Sequence, residues 1–100
     1  MPVEVRVPAL MQRLTKGAKS IHGEGKNIGQ LFDDLDIHYP GLKARVITDQ
    51  GKLHPFINIY LNDEDIRFLG ELKTPLSEGD VVSILPAIAG GYTNGNQVTW

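Results

Sequence analysis

The sequence predicts an α+β domain in which one main helix packs across a mixed sheet of about five strands. Valines at alternate positions in residues 3–7 indicate a half-buried first strand. Apolar residues spaced i, i+3, i+4 and i+7 over residues 28–35 indicate an amphipathic helix. The apolar run 81–85 predicts the last strand. With 100 residues and 41% hydrophobic content, the chain can build one small core, so we expect a single folded domain.

The N-terminal half is predicted from turn and capping residues. A turn at residues 15–17 leads into a second strand over residues 19–22, and Gly23 and Gly25 mark the end of that strand. Asn27 is suited to cap the helix that follows.

The C-terminal half is predicted to add a hairpin before the last strand. A short helical turn is expected over residues 42–47, followed by a turn at residues 49–51. Residues 56–61 alternate as a strand, residues 62–65 form a turn, and residues 66–68 are the expected hairpin partner.

The last strand is predicted to lie parallel to the first at the centre of the sheet. A long connection allows this placement, and continuous apolar content is typical of a strand buried on both faces. The chain is then expected to leave the sheet abruptly at Pro86.

Composition excludes several classes of function. The net charge is -2 and the basic residues are scattered, so the concentrated basic surface of a nucleic-acid-binding protein is not expected. The sequence has no cysteine, which excludes disulfides, thiolate metal sites and a cysteine nucleophile. The start resembles no secretory leader and no apolar run is long enough to span a bilayer, so we expect a cytoplasmic protein.

The motifs that suggest cofactor or metal chemistry are incomplete. Residues 23–28 resemble a dinucleotide-binding loop, but Ile28 stands where the last glycine is required. His22, His38 and His54 lie in three different elements with no second ligand nearby. We therefore expect no catalytic centre and no metal in this chain.

Two glycines follow the last strand, in the segment Ala89-Gly90-Gly91. They are typical of a flexible turn leading to Tyr92. They are also compatible with a thin arm, because residues without Cβ can enter a narrow channel of a partner protein. The glycines by themselves favour the turn.

Two longer segments resemble a known family. Residues 76–91 resemble the C-terminal signature of the ThiS/MoaD family of ubiquitin-like sulfur carriers: a glycine-aspartate turn, an apolar strand, a proline-alanine step and Gly-Gly. Residues 51–68 are similar to the CysO-type carriers of cysteine biosynthesis. The resemblance covers residues 3–91 and implies a β-grasp fold. It also implies that the chain is not an enzyme but a protein substrate of other enzymes.

The resemblance assigns the chemistry to Gly91. Its carboxylate would be adenylated by an E1-like (MoeB/ThiF-type) enzyme and converted to a thiocarboxylate, with Ala89 and Gly90 as the arm. In the CysO-type branch, a pyridoxal-phosphate cysteine synthase accepts the sulfur and a zinc metallopeptidase releases the cysteine. ATP, pyridoxal phosphate and zinc would belong to these partners. The exposed sheet face and residues near Pro86 would help partners to dock.

The chain departs from the family pattern after Gly91, where residues 92–100 follow. We expect residues 1–91 to form the carrier domain and residues 92–100 to be removed by cleavage between Gly91 and Tyr92. The extension is alternatively a vector-encoded remnant, or an ordered hairpin turning at Asn94-Gly95. Other functions left open are a sulfur carrier for molybdopterin or thiamine synthesis, a protein modifier conjugated through Gly91, and a non-covalent binding module.

Overall fold

The computed structural model describes residues 2–86, and within them five strands form one mixed sheet in the order β2-β1-β5-β3-β4. The strands are β1 (Pro2–Arg6), β2 (Ser20–Glu24), β3 (Ile57–Leu61), β4 (Glu64–Asp65) and β5 (Val81–Pro86). Neighbouring strands are antiparallel except for β1 and β5, which are parallel. This is the predicted mixed sheet.

Two α-helices and three 3₁₀ helices connect the strands. The α-helices are α1 (Ile28–His38) and α2 (Leu42–Val46), and the 3₁₀ helices are Ala9–Thr15, Ile66–Phe68 and Glu71–Lys73. The predicted cap is confirmed, because Gln30 N donates to Asn27 Oδ1 at 2.8 Å. The short helical turn expected over residues 42–47 is confirmed as α2.

The core lies between the sheet and α1. The four apolar residues that predicted the helix are all buried: Ile28, Leu31, Phe32 and Leu35. They meet the inner face of the sheet, where alternate residues of β1 and β3 are also buried. The two periodicities seen in the sequence therefore identify the two faces that form the core.

The second strand differs from its prediction, because Gly23 lies inside β2 rather than ending it. A Cβ atom at Gly23 would come within 2.7 Å of Leu35 Cδ2. The missing side chain therefore lets α1 pack closely against the sheet. Gly25 has a similar role, since a Cβ there would lie 2.5 Å from the backbone nitrogen of Leu31.

The prediction that residues 66–68 form the hairpin partner is wrong. Asn62 and Asp63 both have positive φ angles, 50° and 75°, and make a two-residue turn directly after β3. Glu64 is therefore already paired with Leu61, and β4 ends at Asp65. Residues 66–68 instead form a 3₁₀ helix, which Asp65 caps by accepting a hydrogen bond from Arg67 N at 2.9 Å.

The central, parallel placement of β5 beside β1 is confirmed, whereas the expected burial of β5 on both faces is wrong. Val82 and Ile84 face the core and are buried. Ser83 is half-buried and Leu85 is 45% exposed, on the opposite face. The reason is that the helices within residues 2–86 pack on one side of the sheet.

Candidate functional site

The last described residues of β5 form the root of the predicted reactive arm. β5 ends at Pro86, where it is paired with Ile57 of β3. The predicted site residues follow along the chain and lie outside the described residues: Ala89, Gly90, Gly91 and Tyr92. The site that can be built from the structure is therefore the platform from which these residues extend.

The start of β5 is fixed by side chains that bind the backbone. Asp80 Oδ2 accepts a hydrogen bond from Ser77 N at 2.7 Å, and Gly79 between them has a φ of 88°. Asn62 Nδ2 donates to Asp80 Oδ1 at 3.0 Å, while Asn62 Oδ1 accepts from Val81 N at 2.9 Å. The glycine-aspartate turn seen in the sequence thus ties β5 to the β3–β4 turn.

Arg67 binds β3 beside the end of β5. Its Nη2 donates to the carbonyl oxygen of Ile57 at 2.9 Å, and its Nη1 donates to Asn58 Oδ1. Ile57 and Asn58 are the register partners of Pro86 and Leu85. Sequence reasoning missed Arg67, because its partners are distant in sequence and its segment was assigned to a strand.

A small apolar cleft opens at the same end of the sheet. It has a volume of about 230 Å³ and is lined by Leu10, Met11, Ala44, Arg45, His54, Phe56 and Ile57. His54 Nε2 lies 3.1 Å from the carbonyl oxygen of Ala44. Since Ile57 pairs with Pro86, the cleft adjoins the last described residue of β5.

The outer face of β1 and β2 carries a small polar network. Glu4 Oε2 accepts hydrogen bonds from Ser20 Oγ at 3.1 Å and from Arg6 Nε at 3.3 Å. These two bonds, the one from Ser20 first, lower the pKa of Glu4 below its ordinary value of 4.5. Arg6 is the register partner of Ser83, so this network borders the exposed side of β5.

The acidic residues of α1 have structural partners. Asp36 Oδ1 accepts hydrogen bonds from Gly41 N and Lys43 N, both at 3.1 Å, and so joins α1 to α2. Asp34 Oδ2 accepts from Glu24 N at 2.9 Å. Asp33 makes an ion pair with Lys43 at 2.5 Å. These contacts account for the three carboxylates without a catalytic role.

Residues 2–86 bring together no three His, Cys, Asp or Glu side chains that could hold a metal ion. The glycines of the incomplete dinucleotide-binding motif, Gly23 and Gly25, make room for α1. Among the same residues, no helix is long and apolar enough to cross a membrane.

Comparison with known proteins gives consistent matches over most of the chain. The model of the ThiS family matches residues 5–91. The sulfur carrier protein CysO of Mycobacterium tuberculosis is 45% identical over 93 residues, which cover 91% of this chain and all of that protein. Small archaeal modifier protein 3 of Haloferax volcanii is 33% identical over 94 residues, with the same coverage.

A solved structure agrees with the sequence matches. A chain in the crystal structure of the Amycolatopsis orientalis BexX/CysO complex superimposes with a TM-score of 0.83 at 43% identity. The match covers 89% of this chain and 99% of that one. The fold is therefore the predicted ubiquitin-like β-grasp, and the chain belongs to the ThiS family.

Proposed function

We propose that this protein is a sulfur carrier, whose Gly91 becomes the reactive terminus once the bond between Gly91 and Tyr92 is cut. The observation that carries the proposal is the family match, which ends at Gly91, five residues beyond the end of the central strand β5. The domain boundary then falls at the same bond, with residues 1–91 as the carrier domain and residues 92–100 as the part removed.

The chemistry requires a free carboxylate at Gly91. A carboxylate oxygen of Gly91 attacks the α-phosphorus of ATP, and pyrophosphate leaves, so the carboxylate becomes an acyl-adenylate. A hydrosulfide ion (HS⁻) then attacks the carbonyl carbon, the bond to AMP breaks, and loss of the sulfur-bound proton leaves the thiocarboxylate. In the uncut chain, Gly91 carries a peptide bond and neither step is open to it.

The contribution of this chain is to present the arm on a rigid platform. β5 is fixed at its start by Asp80 and Asn62 and lies between two strands at the centre of the sheet. On the strength of the match to sulfur carriers, we assign the role of a protein co-substrate rather than an enzyme, with ATP bound by an E1-like (MoeB/ThiF-type) partner.

The pathway that we favour for the use of the sulfur is cysteine biosynthesis. The support is the 45% identity to the mycobacterial sulfur carrier protein CysO over the whole length of that protein. On this proposal a pyridoxal-phosphate cysteine synthase takes the sulfur, and a zinc metallopeptidase releases the cysteine. We also propose that the carrier acts in the cytoplasm.

The direct test is ATP–pyrophosphate exchange with the adenylating enzyme. Within residues 2–86, the buried apolar core runs from Val3 to Ile84, so a chain that ends at Gly91 retains the described core. That chain is expected to support exchange, whereas the chain ending at Trp100 is expected to be inactive. Equal activity of the two chains would refute the precursor hypothesis, and inactivity of both would refute the carrier function.

A second candidate is a protein modifier joined through Gly91 to lysine side chains. It is favoured by the 33% identity to small archaeal modifier protein 3 over 94 residues. Both candidates begin with adenylation and differ in the acceptor. Peptide mapping of cellular proteins distinguishes them, because only the modifier leaves isopeptide-linked Gly91 on lysines.

A further inference from the structure

We propose that Arg67 is a positioning residue, which fixes the root of the Gly91 arm by holding the start of β3 against the end of β5. The inference rests on the proposed function, because the position of the root matters for the reaction only if Gly91 is activated. It assigns a functional role to a residue outside the arm and outside the family's C-terminal signature.

Arg67 joins three parts of the chain. Its Nη2 donates to the carbonyl oxygen of Ile57 at 2.9 Å, and its Nη1 donates to Asn58 Oδ1. Asp65 contacts both the backbone and the side chain of Arg67. Its Oδ1 accepts a hydrogen bond from Arg67 N at 2.9 Å, and its Oδ2 lies 3.6 Å from Arg67 Nη1. The planar guanidinium is suited to this role, because it presents several donors in fixed directions.

The sheet leaves a gap at the place where Arg67 binds. β4 has only two residues and pairs with Tyr60 and Leu61, so within the described residues no strand pairs with the start of β3 on that side. Arg67 occupies this open edge and satisfies the carbonyl of Ile57, which a neighbouring strand would otherwise bind.

The end of β5 depends on the same two residues of β3. Pro86 and Leu85 are paired in register with Ile57 and Asn58. Pro86 has no N–H, so Leu85 is the last residue of β5 with a backbone donor. Releasing the start of β3 therefore frees Leu85 and Pro86, the residues at the root of the arm.

Loss of order at Leu85 and Pro86 should weaken productive binding to the adenylating enzyme. Each backbone residue that must be ordered on binding carries an entropy cost, and two freed residues weaken binding on the order of tenfold or more. The chemical step is unaffected once the arm is bound. The expected signature is a higher KM for the carrier with little change in kcat.

The test compares Arg67→Ala with a control, Asp34→Ala. The control removes a hydrogen bond between a side chain and the backbone at the opposite edge of the sheet. Asp34 Oδ2 accepts a hydrogen bond from Glu24 N of β2 at 2.9 Å, and β1 lies between β2 and β5 in the sheet. In the full chain, R67A should accelerate amide hydrogen exchange at Leu85 by about tenfold or more, and D34A should leave it unchanged. Arg67→Lys should give an intermediate exchange rate at Leu85, because a lysine ammonium replaces a guanidinium that donates two hydrogen bonds to β3.

In chains that end at Gly91, R67A should raise the KM for the carrier about tenfold with kcat within about twofold of the unmodified sequence, and D34A should change neither. Equal Leu85 exchange in R67A and D34A would overturn the inference, as would equal KM values. If R67A does not fold, the comparisons of Leu85 exchange and KM with D34A are made with Arg67→Lys instead, and they decide the positioning role. If the unmodified chain is not adenylated, the proposed function fails, while Leu85 exchange still decides the positioning role.

Discussion

The two ends of β5 are built for different purposes. At its start, Asp80 and Asn62 bind backbone groups and lock the strand to the neighbouring turn. At its end, Leu85 is 45% exposed and the strand is held from one side through Arg67. Residues up to and including Ile84 therefore stabilise the fold, whereas Leu85 and Pro86 lead into the proposed arm.

The largest expected effect is on activity and comes from Gly91→Val in a chain that ends at residue 91. A branched side chain should prevent the arm from entering a narrow channel, and misplacement of the reacting carboxylate should lower adenylation by about 100-fold or more. The free energy of unfolding should change by less than about 0.5 kcal/mol. Pyrophosphate exchange and urea denaturation measure the two effects. Normal activation of the variant would contradict the channel argument.

The largest expected effect on stability comes from Ile84→Ala. Ile84 is fully packed in the core opposite Ile59, and removing its side chain should destabilise the fold by about 2–5 kcal/mol. Leu85→Ala is the matched control one residue later, where partial exposure predicts a loss below about 1 kcal/mol. Urea denaturation measures both losses. Similar losses in the two variants would show that β5 is buried on both faces after all.

A smaller effect is expected at the start of β5 from Asp80→Ala. The variant leaves Ser77 N and Asn62 Nδ2 without their acceptor and should cost about 1–2 kcal/mol. Glu78→Ala is the control, because Glu78 is exposed and should change stability by less than about 0.5 kcal/mol. Exchange at Leu85 should be unchanged in D80A. Acceleration equal to that in R67A would show that the two ends are not independent.

The smallest expected effect is a dependence of stability on pH through Glu4, whose register partner is Val81 at the start of β5. Hydrogen bonds from Ser20 and Arg6 lower its pKa in the folded state below 4.5, so the stability they add is present above that value and is lost as pH falls through the folded pKa. The effect is small because the site is exposed.

Glu4→Gln tests this sign through urea midpoints measured near about pH 7 and about pH 3. The unmodified protein should be more stable than E4Q at the higher pH, and the difference should shrink at the lower pH. The same difference at both pH values would exclude a contribution from the Glu4 carboxylate.

The sequence predicted the parts of the fold that depend on local pattern. Alternating valines and the apolar stripe of α1 specify the core, and Asn27 specifies the start of the helix, because these signals depend on residues close in sequence. The central position of β5 followed from topology, since a long connection returns the last strand beside the first.

The predictions from sequence were wrong or incomplete where contacts between residues distant in sequence determine the structure. Gly23 looks like a strand terminator until the close approach of Leu35 is known. The β3–β4 turn closes early because Asn62 and Asp63 both adopt positive φ, and neither is a glycine that would have indicated it. Arg67 carried no sequence signal, because its role depends on the pairing of β3 with β5. The residues assigned to the chemistry, Gly90 and Gly91, were predicted through family resemblance and remain a prediction.

The most direct test of the central claim is intact-mass measurement of the protein recovered from the cells that make it, during active sulfur assimilation. The account predicts a species ending at Gly91, with part of the pool heavier by the exchange of one oxygen for sulfur. A pool that contains only chains extending past Gly91, with no thiocarboxylate form, would contradict it.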